Sequence, residues 1–153
     1  MNTDLVEQLF SRYYNDALLY AMSLTKDAHE AEDIAQDAFY KALKTADGDI
    51  QNFKAWLLTV CRNMFLNSRR KRKRLTALDE NIADERDRVL GKIVKDENYR
   101  SLYRAIELLP DNLKEVILLF YFEELKINEI ADMLGKSENN VKVMLYRGRE
   151  QIK

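Results

Sequence analysis

The most informative segment of this chain is residues 127–150, INEIADMLGKSENNVKVMLYRGRE. Apolar residues recur at helical spacing on both sides of Gly135, which predicts two short amphipathic helices, with the glycine at the end of the first. Ser137 is typical of a residue that caps the start of the second helix. Two helices joined by a short turn that contains glycine are typical of a helix-turn-helix motif. The alternative for this segment alone is an ordinary αα-hairpin in a helical bundle.

The second predicted helix has an apolar face and a polar face. At about 100° per residue, its inward positions are Val141, Met144, Leu145 and Gly148. The polar face can read duplex DNA, because the second helix of such a motif enters the major groove. In that groove Asn can pair with adenine, Lys can reach guanine and Val can touch a thymine methyl group. The candidate residues are Ser137, Asn139, Asn140, Lys142, Val143, Tyr146 and Arg147.

The basic residues are concentrated in one short segment. The whole chain has a net charge of −1, yet residues 62–74 carry seven Lys or Arg and no acidic residue, and the run from Arg69 to Arg74 is wholly cationic. Such a block is the electrostatic footprint of a protein that contacts a phosphate backbone. The alternative is a solvated helix C-terminus, where cations are favoured.

The helix that leads into this basic segment has a face of amides and cations. Asn63, Asn67, Arg70 and Arg74 share one side of the predicted helix, and Trp56 borders it. An aromatic ring beside amides and cations suits stacking on an unpaired base. The alternative is that Trp56 completes the hydrophobic core.

An earlier predicted helix presents an acidic face. Asp27 would cap the start of this helix, which runs to about Ala46. Asp33, Asp37, Tyr40 and Lys44 align along it at helical spacing, with Gln36 adjacent, and its inward stripe is Ala31, Ala35, Ala38, Phe39 and Ala42. An acidic face bordered by an aromatic residue is a candidate for protein docking. From spacing alone, a solvated charged face is the better explanation of the pattern. The helix before it, residues 3–24, has an apolar stripe of Leu5, Leu9, Tyr13, Ala17 and Leu24.

The composition indicates a helical protein without cofactor chemistry. The 153 residues are 46% apolar and 33% charged, and the four Gly and one Pro are too few and too scattered for a β-sandwich or a phosphate-binding loop. One Cys and one His exclude a disulfide framework, a multi-Cys zinc site and the usual His-based chemistry. We therefore predict no cofactor, no metal and a buried Cys61. The chain shows no signal peptide and no apolar run of membrane length, which predicts a cytoplasmic protein.

Three segments resemble bacterial sigma factors of the sigma-70 family. Residues 31–39, AEDIAQDAF, resemble the core-binding helix of that family, and AWLL at residues 55–58 with CRN at 61–63 resembles its promoter-melting helix. Leu109-Pro110, EVILL at 115–119, Ile130-Ala131, Val141-Lys142 and Arg147-Gly148-Arg149 are similar to its fourth conserved region. Their order and spacing resemble the small extracytoplasmic-function (ECF) group, which keeps only regions two and four.

The resemblance implies an all-α fold of two small helical domains joined by a linker. A region 2 helical bundle would span residues 1–74, the linker 75–98, and a region 4 helix-turn-helix domain 99–153. Such a factor is not an enzyme; it binds core RNA polymerase and directs promoter recognition, DNA melting and transcription initiation. Its control would come from its own expression or from a separate anti-sigma protein.

The resemblance also implies a role for each surface. Core polymerase would be bound by Glu32, Asp33, Gln36, Asp37 and Tyr40. The −10 element, as melted non-template strand, would be bound by Asn52, Lys54, Trp56, Arg62, Asn63, Asn67, Arg69 and Arg70, together with the acidic loop at Asp47 and Asp49. The helix-turn-helix would read the −35 element as duplex. A free-standing helix-turn-helix regulator is the main alternative, and a helical adaptor that holds nucleic acid through its basic run is a third.

Overall fold

The computed structural model describes residues 3–45, 52–71 and 80–152, and these residues form eight α-helices without a β-strand. The chain divides into two compact units, residues 1–93 and 94–153. The first unit contains α1 (Thr3–Thr25), α2 (Ala28–Thr45), α3 (Phe53–Lys71) and α4 (Glu80–Ile93). The second contains α5 (Glu97–Glu107), α6 (Asp111–Tyr121), α7 (Ile127–Leu134) and α8 (Glu138–Ile152). The all-α prediction is confirmed.

Helix α1 is the centre of the first unit. It packs against α2, α3 and α4, and every residue from Ala17 to Ser23 is buried. The prediction of a single apolar stripe on α1 was therefore incomplete, since Leu9, Tyr13 and Leu24 are only half-buried. The physical reason is that the other helices surround α1 only at residues 17–23, whereas residues 7–16 keep one side in solvent, and a single stripe does not describe both parts.

Helix α2 packs closely on α1 because its inward residues are small. Its predicted stripe of four alanines is fully buried, and Phe39 is nearly so. Asp27 caps the helix, as predicted: its Oδ1 accepts hydrogen bonds from the backbone N–H groups of His29, at 3.0 Å, and Glu30, at 3.4 Å. Thr25 closes the preceding turn, because its hydroxyl accepts from the Asp27 N–H at 3.1 Å. The direction of α2 is thus fixed at its first turn.

The stretch 75–98, for which the sequence predicts a linker, includes α4. This helix packs against α1 and α2 within the first unit. Leu90 anchors it with only 1% of its surface exposed. Residues 72–79, which precede it and include the end of the basic run, lie outside the described residues.

Helix α6 forms the core of the second unit. The run from Val116 to Leu119 is fully buried, because α6 packs against α5, α7 and α8. Helices α7 and α8 are joined by the predicted tight turn. Gly135 adopts a left-handed conformation, with φ 66° and ψ 38°, and Ser137 Oγ accepts a hydrogen bond from the Asn140 backbone N–H at 3.1 Å. The helix-turn-helix geometry follows from these two local signals.

Candidate nucleic-acid and protein interfaces

Helix α8 turns one face into the second unit and the other to solvent. Its inward residues Val141, Met144, Leu145 and Gly148 are buried, as the sequence predicts. All seven candidate duplex-reading residues are exposed, and they include two large side chains, Val143 at 46% and Tyr146 at 60% exposure. The outer face of α8 is therefore open to a ligand along its length.

The start of α8 combines the positive end of the helix dipole with exposed polar side chains. The first backbone N–H groups of a helix carry the positive end of its dipole, and Asn139 and Asn140 lie in this turn with exposed side chains. Ser137 Oγ is engaged as an acceptor for the cap, but its hydroxyl proton is still available for donation. Lys142 and Arg147 add exposed cations further along the helix. Glu138 is also exposed in the first turn and opposes an anion there, so the arrangement suits a polyanion along the cationic flank of the helix.

One contact at the far end of α8 was missed by the sequence reasoning. The guanidinium of Arg149 donates a hydrogen bond to the hydroxyl of Tyr121 at 2.9 Å, which ties the last turns of α8 to the end of α6. The two residues lie 28 positions apart, so no local pattern reveals the pair. Arg149 therefore contributes to holding α8 in place against α6.

The outer face of α2 exposes most of the residues predicted to bind polymerase. Asp33, Gln36 and Asp37 are exposed, Glu32 is half-buried, and Tyr40 is 61% exposed. The Lys44 ammonium lies 4.6 Å from the centre of the Tyr40 ring, in a cation–π contact. The face is thus acidic from Glu32 to Asp37 and carries an exposed aromatic ring and a cation towards its C-terminal end.

A tyrosine of α1 supports this face from the side. The side chains of Tyr14 and Gln36 share a hydrogen bond, and the carboxylate of Glu32 lies near enough to act on the phenol. Burial is the main reason that the pKa of Tyr14 is raised above its ordinary value of 10.0, and Glu32 adds to the increase, while the bond with Gln36 opposes it. Tyr14 is therefore a neutral hydrogen-bonding partner at physiological pH. Sequence spacing gave no signal for it, because the contact joins two helices.

The residues predicted to bind the −10 strand line α3, with different degrees of exposure. Asn52, Asn63, Asn67 and Arg69 are exposed, whereas Lys54, Trp56 and Arg62 are half-buried. The Trp56 ring lies 6.1 Å from that of Phe53, so one part of the indole packs on the core and the rest is open to a ligand. The side chain of Arg70 and the loop at residues 47–49 lie outside the described residues.

The structure distributes these α3 residues over two sides of the helix. Lys54 Nζ lies 3.8 Å from Asp16 Oδ2 on α1. Asn67 instead lines an open groove beside Asp33 and Asp37 of α2. The predicted polymerase-binding and strand-binding residues therefore meet at this groove. Sequence reasoning treated the two faces as separate.

Metal-binding clusters and membrane-spanning helices are both absent from the described part of the chain. Within the described ranges, no three His, Cys, Asp or Glu residues are grouped so that they could hold a metal ion. Cys61 is buried, as predicted. No helix among the described residues is long and apolar enough to cross a membrane. The chemistry that this surface offers is recognition through hydrogen bonds, charge and stacking.

Comparison with known proteins agrees with this two-unit architecture. Residues 9–75 match the family model for sigma-70 region 2, and residues 99–152 match the model for sigma-70 region 4. The ECF RNA polymerase sigma factor SigM of Bacillus subtilis is 30% identical over 151 residues, which span 97% of this chain and 93% of SigM. SigW of the same organism, also an ECF sigma factor, is 34% identical over 141 residues, with 83% of this chain and 75% of SigW covered.

A solved structure shares the fold. The sigma factor RpoE of Bartonella quintana, crystallised with the anti-sigma factor NepR, is 22% identical to this chain and superposes with a TM-score of 0.66. The alignment covers 99% of this chain and 95% of RpoE. The fold and the two family matches define a sigma factor of RNA polymerase. Within the sigma-70 family, the chain belongs to the extracytoplasmic-function group, and its function is promoter recognition and transcription initiation.

Proposed function

We propose that this sigma factor divides promoter recognition among three surfaces. The outer face of α2 binds core RNA polymerase, α3 binds the −10 element as unpaired non-template strand, and α8 reads the −35 element as duplex. The observation that carries the proposal is the two-sided character of α8, whose outer polar residues are all exposed while its inner residues are buried.

The −35 assignment follows from the chemistry of the α8 surface. Asn139 lies in the first turn, is exposed, and has an amide that can form two hydrogen bonds with adenine. Val143, one turn further, can contact a thymine methyl group. Arg147 lies two turns into the helix and is placed for a phosphate. Ser137, Asn140, Lys142 and Tyr146 complete this surface.

The −10 assignment rests on the mixture of aromatic and polar groups along α3. Unpaired bases stack on aromatic rings, and cations neutralise the neighbouring phosphates. The half-buried Trp56 supplies a ring, and exposed Asn63 supplies an amide on the same side of the helix. The Arg69 guanidinium lies 5.0 Å from the centre of the Phe65 ring, which limits its freedom and favours phosphate binding in one place. Asn52, Lys54, Arg62, Asn67 and Arg70 extend the proposed surface.

The polymerase assignment rests on the acidic face of α2. The exposed carboxylates of Asp33 and Asp37 suit a basic partner surface, and exposed Tyr40 is the type of residue that is enriched in the centre of protein interfaces. Glu32 and Gln36 complete the face. A free-standing regulator of duplex DNA would need no such face, which favours the sigma-factor assignment.

We further propose that this chain catalyses no reaction and acts in the cytoplasm, where core RNA polymerase is found. Its activity would be controlled through its expression or by a separate anti-sigma protein. RpoE of Bartonella quintana provides the precedent, since it was crystallised with such a protein. The proposal for this chain is that an anti-sigma partner covers the surfaces that polymerase and promoter DNA would use.

Binding to core polymerase tests the proposal. We expect the purified chain to bind bacterial core RNA polymerase, and the double substitution Asp33→Ala with Gln36→Ala to weaken that binding without changing the affinity for a −35 duplex. The duplex assay is the internal control for folding. No binding to core at micromolar concentration would contradict the proposed function, and equal losses in both assays would show that the substitutions disturb the fold instead.

A further inference from the structure

The hydrogen bond between Tyr121 and Arg149 lies on the surface of the second unit. Tyr121 is 43% exposed, and Arg149 is exposed as well. The contact uses one N–H of a guanidinium that has five donors, and the phenol accepts in it while keeping its own proton for donation. Two donor groups are therefore held side by side at the surface, one from the end of α6 and one from the last turn of α8.

Arg149 lies on one flank of α8, between the buried side and the outer face. Each residue turns the helix by about 100°, so Arg149 and Lys142 point in directions that differ by only about 20°. Both are exposed, and they form a cationic row. Arg147 points to the opposite flank, about 160° away from Arg149, and the acidic Glu150 lies about 100° away. Glu138 shares the flank of Arg149 but lies three turns earlier, about 16 Å away along the axis.

Cations on both flanks match the surroundings of a helix in the major groove. The groove is about 12 Å wide and a helix with its side chains is about 10–12 Å across, so a phosphate backbone borders the helix on each side. Arg147 would face one backbone, and Lys142 and Arg149 would face the other. Arg and Tyr side chains both donate hydrogen bonds to phosphate oxygens, and such contacts carry no direct sequence information.

The ring of Tyr121 is held by its neighbour in the chain. The rings of Phe120 and Tyr121 lie 5.0 Å apart in an edge-to-face contact, with planes inclined by 86°, and Phe120 is half-buried. Such a contact favours one ring orientation, which fixes the phenol oxygen and, through it, the guanidinium of Arg149. An arginine that is already held loses less rotamer freedom when a phosphate binds.

We propose that Tyr121 and Arg149 form a binding site for one backbone phosphate beside the −35 element, with the phenol and the guanidinium each donating a hydrogen bond to the phosphate oxygens. The inference rests on the function proposed for α8 and adds a contact from α6, which ends at Tyr121. The site selects no base; it fixes the register in which the outer face of α8 meets base edges. The alternative is a pair that only ties α8 to α6.

Neutralisation of single phosphates tests the site directly. The full chain would be titrated with −35 duplexes in which one backbone phosphate at a time is replaced by an uncharged methylphosphonate. We expect one position at which the replacement weakens binding of the unmodified chain about tenfold, the usual loss of a hydrogen bond to a charged group, and has no effect on Arg149→Ala. If the two losses simply add at every position, no phosphate contacts Arg149 and the site is wrong.

The salt dependence of duplex binding gives an independent measurement. Arg149→Ala should lower the slope of log K against log salt concentration by about 0.9, and equally for all −35 sequences. Arg104→Ala is the matched control, because Arg104 is an exposed arginine of the second unit on α5, and it should leave the slope unchanged. Arg149→Lys keeps the charge and should keep most of the slope; it takes the place of the alanine variant if that variant fails to fold. An unchanged slope for Arg149→Ala would contradict a phosphate contact.

Tyr121→Phe tests the phenol, because it removes only the hydroxyl and keeps the ring beside Phe120. We expect the Kd for the −35 duplex to rise about two- to tenfold, the usual effect of one hydrogen bond. Part of this loss should persist when Arg149 is already alanine, since the phenol donates to the phosphate itself. A pair that only ties α8 to α6 predicts no further loss in that background, together with equal losses of urea stability in the two single variants, and that result would overturn the role of Tyr121.

The outcomes separate the inference from the function on which it rests. If Asn139→Ala changes the base preference at the −35 element while no phosphate is coupled to Arg149, then α8 reads the duplex without this site and the inference is wrong. If Asn139→Ala also leaves base preference unchanged, the proposed −35 role of α8 is itself wrong. Coupling of Arg149 to one phosphate, with Arg104→Ala unchanged, supports the inference.

Discussion

The close crossing of α6 and α8 makes Gly148 sensitive to one added methyl group. A Cβ at this position would lie 2.5 Å from Ile117 Cγ1 and 2.7 Å from Ile117 Cδ1. Ile117 is fully buried, and its Cγ1 is attached directly to its own Cβ, so it cannot swing away without a new rotamer in a packed core. Gly148→Ala therefore forces either the side chain or the helices to move.

The magnitude follows from two opposing effects. Overpacking of a core costs about 1–3 kcal/mol, while the better helix propensity of alanine returns up to about 1 kcal/mol. With the full alanine gain subtracted, we expect a net loss of up to about 2 kcal/mol in the free energy of unfolding. Each kcal/mol corresponds to a fall of about 4–8 °C in the Tm of a domain of this size. Binding of a −35 duplex should weaken as well, because α6 sets the position of α8.

Gly91→Ala is the matched control for this measurement. Gly91 lies in α4, and a Cβ at this position meets no atom within 4 Å, so the substitution should stabilise the chain by about 0.5–1 kcal/mol. Urea denaturation followed by far-UV circular dichroism measures both variants. In an Ile117→Ala background, which removes both obstructing atoms, the cost of Gly148→Ala should disappear. If Gly148→Ala stabilises the unmodified chain as much as Gly91→Ala does, the close crossing of α6 and α8 is wrong.

Three further predictions concern α8, the turn before it and Tyr14. Asn139→Ala should cost about 1–3 kcal/mol of binding free energy at one −35 base pair, whereas Arg147→Ala should weaken binding to all −35 sequences about equally. Titration of each variant with a panel of single-base −35 duplexes at fixed salt compares the two. The reverse pattern would contradict the docking of α8. Gly135→Ala should destabilise the chain by about 1 kcal/mol, because φ is 66° there, and unchanged urea stability would argue against the left-handed turn. Folding raises the pKa of Tyr14, so the folded state keeps the phenol proton to a higher pH than the unfolded state does. The stability that Tyr14 contributes is therefore fully present below about pH 10 and is lost as the pH rises through the folded-state pKa. The free energy of unfolding, measured between pH 9 and 11, should fall less steeply for Tyr14→Phe than for the unmodified chain.

The helix-turn-helix could be predicted because its determinants are local. Gly135 and Ser137 specify the end of one helix and the start of the next through backbone geometry and one hydrogen bond. The spacing of Val141, Met144 and Leu145 then assigns the buried side of α8. Local capping chemistry and helical periodicity need no knowledge of the rest of the fold.

Contacts between helices could not be predicted in this way. Spacing does not reveal that Arg149 meets Tyr121 or that Lys54 approaches Asp16, because each pair joins two different helices. The position of Asn67 is a further example, since it shares a groove with acidic residues of α2 although its own helix leads into the basic run.

Promoter-specific initiation by the reconstituted holoenzyme tests the central claim most directly. Core polymerase alone and core with this chain would transcribe a library of linear DNA fragments with randomised upstream sequence, and the 5′ ends of the transcripts would be mapped. We predict that the chain directs initiation to fragments that share one −35 and one −10 element at a fixed spacing, and that Asn139→Ala relaxes the choice of one base in the −35 element. Start sites that are the same with and without the chain would contradict the account.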